Sequence, residues 1–556
     1  MIHQVLLSGR RDGGDSVQQG QKAAGRAGWM VRAGLVLIII MLSIPVMQPG
    51  KAQAASVWTV YKEAQKLEAR GKYIEAIAKY KQIAPVFVKG KDYGIAAQMY
   101  RRIGDCYKGL KRYDDAVANW DLEAEYSGKA NQTQVSIAAK RKANLLRSSA
   151  KLYVEQPAGQ GATYGGTKFV PANGALIGAY AELDKAVNDP KKGKYFTEQF
   201  PVLTGKKHAA YLLYFNYGSD PALLAKHLER AKASGTALQI GVQPVKGLDQ
   251  VKDDAYLRGL AKAIGESEAP VFLRFANEMN GGWVKWHGDP EKYIEKFRLV
   301  AKVFREEAKD NVAMVWAPGA NPTYTIESYY PGDAYVDWVG VSLYTIFDPS
   351  LDPLKQGEDR SSHLDKFDHI YQTYAARKPV FISEGGVSYM YPEKRQDKTK
   401  WAVYKLREFY ASLPMVYPKV KGVFWFDSNG DSTARIKYYM LSANEQLLKA
   451  YKESVANPFY LGSIGEKAPV SYKPVNNSTI QAGKLKLSGY VKTWAPTLSK
   501  VSYKIGGRTV GTASAPPWTA EIDFRAYKGK KIEIAVQAYD NSGKLVTTQK
   551  VNVKVY

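Results

Sequence analysis

Residues 271–283 read V-F-L-R-F-A-N-E-M-N-G-G-W, and this stretch decides the fold. Val271, Phe272 and Leu273 follow Pro270 as a short apolar run, which predicts a buried β-strand. The pattern then breaks: Arg274, Asn277, Glu278 and Asn280 are charged or polar, and Gly281-Gly282 ends the run. A buried strand that ends in a carboxylate between two amides is what a (β/α)8 barrel shows where its strands meet their C-terminal loops. On this stretch alone, an ordinary strand-to-loop junction with a solvated Glu stands as the alternative.

Working outward, apolar β-rich runs recur at 176–180, 208–217, 237–244, 270–278, 312–318, 336–344, 380–384 and 420–427. Amphipathic helical patterns separate most of them, for example at 221–234, 290–308 and 399–413. Eight strand–helix units predict a (β/α)8 TIM barrel over residues 160–460. A doubly wound open sheet competes, but it would want a Gly-rich phosphate loop after an early strand, and none is present.

The flanks read differently. In residues 1–54, Arg26 and Arg32 precede an apolar run at 33–47, and Ala52-Gln53-Ala54 supplies an A-x-A pattern. The run is shorter than the roughly 20 residues a membrane span needs. It is expected to be a signal peptide cleaved near Ala54, which makes the protein secreted or cell-envelope associated; a retained anchor is the alternative. Residues 55–155 are patterned as helices. Gly71-Lys72-Tyr73-Ile74-Glu75-Ala76-Ile77 returns as Lys111-Arg112-Tyr113-Asp114-Asp115-Ala116-Val117, which reads as a tetratricopeptide-like hairpin period of about 34 with a short insertion. Such a module either docks a protein partner or caps the barrel. Residues 467–556 alternate with period two between turn signals, which predicts an immunoglobulin-like β-sandwich.

Charge narrows the partners. The chain of 556 residues carries a formal net charge of +26, and from Lys467 onward 15 Lys and Arg stand against 4 Asp and Glu. An anionic cell-envelope polymer contacted through the C-terminal domain fits this excess, with a plain spacer as the alternative. Nucleic acid is not expected, because basic residues are not interleaved with aromatics in one groove. The one cysteine, Cys106, excludes a disulfide framework and a Cys-rich zinc site. The six His form no H-E-x-x-H, so neither metal nor cofactor is expected. The 39 Tyr and 11 Trp offer a weak pointer to sugar stacking.

Glu278 closes the fourth run, and the seventh, V-F-I-S-E-G-G at 380–386, also ends in a carboxylate, Glu384. Burying a carboxylate costs several kcal/mol unless it is partnered. Two of them converging on one barrel mouth are the equipment of glycoside hydrolysis. Arg274, four residues before Glu278, falls on the same face of an extended strand and would keep Glu384 ionised; a barrel-floor salt bridge is the alternative.

Several separated motifs now carry a resemblance: R-F-A-N-E-M-N-G at 274–281 with Trp283 and Trp286, F-R-L-V-A-K-V-F-R at 297–305, V-W-A-P at 315–318, Y-Y-P-G-D-A-Y-V-D-W-V-G-V-S-L-Y at 329–344 and P-V-F-I-S-E-G at 379–385. Together they resemble glycoside hydrolase family 26, whose retaining clan places its acid/base on strand four and its nucleophile on strand seven. The resemblance implies Glu278 as general acid and then base, and Glu384 as nucleophile. Retention implies carboxyl groups about 5–5.5 Å apart. It further implies Tyr344 as a donor to Glu384, Trp425 as an aromatic floor under the reacting sugar, and Trp283 and Trp286 as stacking surfaces on the leaving side, unless either merely packs its loop. Asp427 is a candidate hydroxyl binder or a plain loop residue. One departure stands out: the β-mannanases of the family usually carry His before the acid/base, and here it is Asn277. Other families of the clan use Asn there to hold the sugar's 2-hydroxyl. The expected substrate is therefore β-mannan or a related β-glycan cut by an endo-acting enzyme. The alternatives are an enzyme acting on the producer's own exopolysaccharide and a non-catalytic glycan-binding scaffold.

Overall fold

The computed structural model describes residues 51–556 except 162–163, 309, 350–353, 355–362, 392–393 and 431–436. The apolar run of the expected signal peptide lies outside the described residues. Helix α1 (Lys51–Ala69) opens four residues before the expected start of the mature chain. No helix among the described residues is long and apolar enough to cross a membrane. The chain divides into two compact units, the first ending at Asn144 and the second running Leu145–Tyr556.

The first unit is a helical array: α1, α2 (Tyr73–Lys89), α3 (Tyr93–Gly109), α4 (Tyr113–Lys129) and α5 (Thr133–Leu146). Successive helices start at Tyr73, Tyr93, Tyr113 and Thr133, so the sequence repeat at offset 40 is two helix-plus-turn units of equal length. This corrects the expected period of about 34 with an insertion. The turns Gly71, Lys91, Lys111 and Asn131 all take positive φ, which reverses the chain in three residues every time. Ala76, Ala96 and Ala116 are buried where helices approach, and a Cβ on Gly104 would stand 2.5 Å from the Trp120 ring. Small residues here set the helix spacing, and large ones fill the next gap. Cys106 is buried in this core, and burial pushes its thiol up to about 12, as suits an inert packing residue.

In the second unit eight parallel strands close on themselves: β2 (Ala175–Tyr180), β3 (Ala210–Asn216), β4 (Ala237–Gln243), β5 (Val271–Phe275), β6 (Val312–Trp316), β7 (Trp338–Thr345), β8 (Val380–Val387) and β9 (Val420–Phe426), with β9 pairing back to β2. The helices around them are α6 (Phe196–Thr204), α7 (Ala225–Ser234), α8 (Ala255–Glu266), α9 (Pro290–Glu307), α10 (His363–Tyr374), α11 (Thr399–Val416) and α12 (Glu445–Val455). Only two short 3-10 turns, Thr323–Thr325 and Glu327–Tyr329, link β6 to β7. Phe272, Trp338, Phe381 and Phe424 fill the lower barrel, with Phe272 edge-on to Trp338 at 5.2 Å. The barrel is thus a packed core at one end, and its chemistry is confined to the other.

Strands from before and after the barrel form two sheets around one core. The first has the order β11 (Val470–Pro474), β1 (Ser149–Pro157), β13 (Lys484–Lys492), β16 (Ala520–Asp523). The second has the order β12 (Ser478–Ile480), β18 (Leu545–Val555), β17 (Lys531–Tyr539), β14 (Lys500–Ile505), β15 (Arg508–Ala513). Leu152, Leu487, Val491, Val501, Trp518 and Val536 share the core between them. Residues 149–155, expected to be the end of the helical module, are instead a central strand of the C-terminal sheet. The alternation that carries Leu152 inward was too short to separate from the preceding helix by pattern alone. The chain therefore enters the sandwich before it builds the barrel and returns to it afterwards.

Candidate active site

Both key carboxylates reach the barrel mouth through departures from regular strand geometry. Strand β5 ends at Phe275, three residues short of Glu278. Ala276 and Glu278 then take φ of 47° and 58°, a left-handed conformation that is costly for side-chain-bearing residues and needs support from its surroundings. The support is visible. The Glu278 N–H donates to the Ala317 carbonyl at 2.8 Å, at the end of β6. The Asn280 amide donates to the Gly319 carbonyl at 3.0 Å and accepts from the Gly319 N–H at 2.8 Å. The reading of Arg274 and Glu278 as two pleats apart on one strand is thus replaced by a turn that swings Glu278 over the mouth.

Glu384 is aimed by a bulge. Ile382 is in register with Val341 and Glu384 with Ser342, so Ser383 is the extra residue. Phe381 faces the barrel interior, and regular alternation would send Glu384 into the helix layer. The inserted residue restores it to the mouth. Gly385 is required beside it, because a Cβ there would stand 2.3 Å from the Leu343 carbonyl oxygen.

Glu384 is 4% exposed and Arg274 0% exposed. Arg274 Nη1 pairs with Glu384 Oε2, Tyr214 Oη donates to the same oxygen, and Tyr344 Oη donates to Oε1 at 2.7 Å. Arg274 Nη2 donates to Ser342 Oγ at 2.7 Å. Burial alone would raise the pKa of Glu384; the guanidinium and the three hydrogen bonds outweigh it and hold the carboxyl below the usual range. Glu278 is shifted the opposite way, raised by burial and by the charge of Glu384, with Arg274, Trp283 and Ser342 opposing. The pKa values of two neighbouring carboxyls are thereby pushed apart, which suits one to attack and the other to donate a proton.

Trp283 is 36% exposed and its Nε1 donates to Glu278 Oε2 at 2.5 Å. It leaves an indole face at the mouth while holding the carboxyl. Trp283→Phe keeps a ring and removes the N–H, which favours the ionised form of Glu278. The pKa of Glu278 should rise further, and the alkaline limb of kcat/KM should move to higher pH; a pH profile reads this directly. The Asn277 Oδ1 is buried with no hydrogen-bond partner among the described residues.

Three residues expected at the site lie elsewhere. Trp286 is buried and its Nε1 donates to the Asn277 carbonyl at 2.8 Å, so it packs the loop. Trp425 takes the outward phase of β9, packing against Tyr451 of α12 at 5.6 Å and donating to the Tyr439 carbonyl at 3.0 Å. The inward position next to it belongs to Phe426. Asp427 is fully buried, with Oδ1 accepting from the Leu441 N–H at 2.6 Å. Burial and the neighbouring Asp184 carboxyl raise its pKa well above the usual range, so it braces two loops and is not open to a sugar.

Residues that the sequence did not single out complete the site. Tyr214 and Ser342 contact the charged pair directly. Phe426 stacks on Tyr180 at 4.6 Å and meets Tyr344 edge-on at 5.8 Å, while Tyr344 stacks on Tyr439 at 5.3 Å. The signal for Tyr214 was present: it ends an inward-phase series with Ala210 and Leu212 at the top of β3.

The closed barrel thus carries two opposed carboxyls where its fourth and seventh strands end. Residues 247–406 match the model of Glycosyl hydrolase family 26. The chain is 26% identical over 273 residues to Endoglucanase H of Acetivibrio thermocellus, covering 46% of this chain and 28% of that protein. It is 31% identical over 162 residues to a beta-1,3-xylanase of an Alcaligenes species, covering 27% and 30%. The chain thus spans less than a third of the length of either relative. Among solved structures it is similar to a modular endo-beta-1,4-mannanase from Cellulomonas fimi, at 16% identity, 69% and 94% coverage and a TM-score of 0.39.

Proposed function

We propose that this protein is a secreted, retaining glycoside hydrolase that cuts within a β-linked polysaccharide, β-mannan or a related β-glycan. The observation that carries the reading is the opposite displacement of two adjacent carboxyl pKa values, with Glu384 lowered and Glu278 raised. Glu384 attacks the anomeric carbon while Glu278 gives its proton to the departing glycosidic oxygen, leaving a glycosyl ester on Glu384. Glu278, now a carboxylate, takes a proton from water; the water attacks the same carbon and frees Glu384. Arg274, Tyr214 and Tyr344 keep the nucleophile ionised and oriented. Asn277 offers its Oδ1 to a sugar hydroxyl, and Trp283 presents its ring to the leaving side. The arginines before the apolar run and the A-x-A pattern at 52–54 support export. The basic C-terminal sheets suit an anionic envelope polymer, and the helical array suits a protein partner.

The similar proteins are named for different β-glycans, so the test spans them. Reducing-sugar release is measured on mannan, mixed-linkage glucan, β-1,3-xylan, β-1,4-xylan and the producer's own exopolysaccharide, beside Glu384→Gln. Release from at least one polymer, lost in the variant, is expected. Equal near-zero release by both proteins on all five would sink the reading.

A further inference from the structure

Among the described residues, a cation at the mouth stands without a counter-charge. Lys437 is half-buried and its Nζ lies 4.5 Å from the centroid of the Tyr344 ring, the same tyrosine whose hydroxyl donates to Glu384 at 2.7 Å. Among the described residues Lys437 makes no ion pair. The charges nearest the chemistry already balance without it. Arg274 pairs with Glu384, and Glu278 is the proton donor of the proposed mechanism. Among the described residues, Lys437 therefore adds an unpaired positive charge, partly desolvated and set against a π-face.

The same end of the barrel repeats the sign. Lys185 after β2, Lys246 after β4 and Lys285 after β5 are exposed and likewise make no ion pair among the described residues. Of the acids on those loops, Asp189 pairs with Lys192, Asp249 with Lys292 at 2.5 Å and Asp253 with Arg258, Asp184 is buried, and Glu182 is half-buried beside Tyr180. A mouth with an excess of one sign attracts a polymer of the other.

We propose that the substrate is an acidic β-glycan, and that Lys437 pairs with an anionic substituent, a carboxylate or a sulfate, on a sugar bound at the nucleophile side of the cut. This rests on the glycosidase reading. Trp283 marks the leaving side by its bond to Glu278, and Lys437 lies against Tyr344, the donor to Glu384, which assigns it to the nucleophile side. A neutral glycan would offer this ammonium only hydroxyls.

The test uses one glucomannan backbone in three forms: unmodified, oxidised at C6 to the uronate, and sulfated. For the full chain, KM is expected to be about 5-fold or more lower on one anionic form than on the neutral one, with the gap narrowing as salt rises. The form preferred identifies the substituent. Lys437→Ala should collapse the ratio of the two KM values toward one, and Lys437→Glu should invert it. A wild-type ratio of one, or a ratio that Lys437→Ala leaves in place, overturns the proposal. So does an equal loss of kcat on all three forms, which would mean that Lys437 only props Tyr344. If no form is cleaved, the glycosidase reading fails on this backbone, and calorimetry with Glu384→Gln judges the lysine separately. Tighter binding of an anionic form that depends on Lys437 upholds it, and equal binding of all forms rejects it.

Discussion

Glu384→Gly is expected to lower turnover by about 10⁴-fold or more, because it removes the atom that forms the glycosyl bond. Glu278→Gly is expected to cost about 10²–10⁴-fold on the polymer, the range of a lost general acid, and much less on an aryl glycoside whose leaving group needs no proton. Azide separates the two roles. In the first variant it enters the space of the nucleophile and attacks the β-glycoside from the opposite face, so the product is the α-glycosyl azide. In the second, Glu384 still forms the intermediate and azide takes the place of water, giving the β-azide. Products of the same anomeric form from both variants would refute the assignment of the two carboxyls. The pH dependence follows from the directions of their shifts. Activity needs Glu384 ionised, so it falls as pH drops through that lowered pKa; it needs Glu278 protonated, so it falls as pH rises through that raised one. Glu384→Gln removes a negative charge beside Glu278. The pKa of Glu278 should then drop, as carboxyl chemical shifts would record.

Deleting residues 467–556 is expected to leave no soluble, folded barrel. A detachable module could be removed cleanly, but this sandwich takes its strand β1 from before the barrel. Strand β1 is paired on one side with β13 and on the other with β11, and the Leu152 N–H donates to the Asn476 side chain at 2.9 Å. The same sheets lean on the barrel's helices: Lys492 reaches Asp365 of α10 at 2.5 Å, and Trp518 packs near Tyr404 of α11 at 6.2 Å. Truncation would strand the paired edges of β1 and uncover the α11 face. Leu152→Ala probes the junction more gently. As a fully buried residue of the sandwich core it should cost about 2–5 kcal/mol, read as a lower denaturation midpoint for the whole second unit. A truncated chain that stays monomeric and keeps its thermal transition would show that the two parts fold independently.

The strand count was legible because barrel strands are buried on both faces and write themselves as continuous apolar runs. The run expected at 237–244 became Ala237–Gln243, and that at 420–427 became Val420–Phe426. The chemical pair was legible for a related reason: a carboxylate at the end of such a run has no solvated face to occupy. Less legible was which neighbour faces inward. Trp425 and Phe426 are adjacent aromatics, and one residue of phase separates the helix layer from the mouth. Asp427 looked available because its partners, Asp184 and the Leu441 N–H, come from other loops.

The sequence by itself therefore determined the class of fold and singled out two carboxyls at strand ends as candidates, since both follow from local burial and from order along the chain. Only the tertiary structure decided how those carboxyls are aimed and what holds them. Glu278 depends on two left-handed residues anchored to the end of β6, and Glu384 on one inserted residue in β8. Tyr214 meets Glu384 from a strand 170 positions away in the chain. Such geometry is set by the register of neighbouring strands, and register is a property of the closed sheet rather than of any single run of residues.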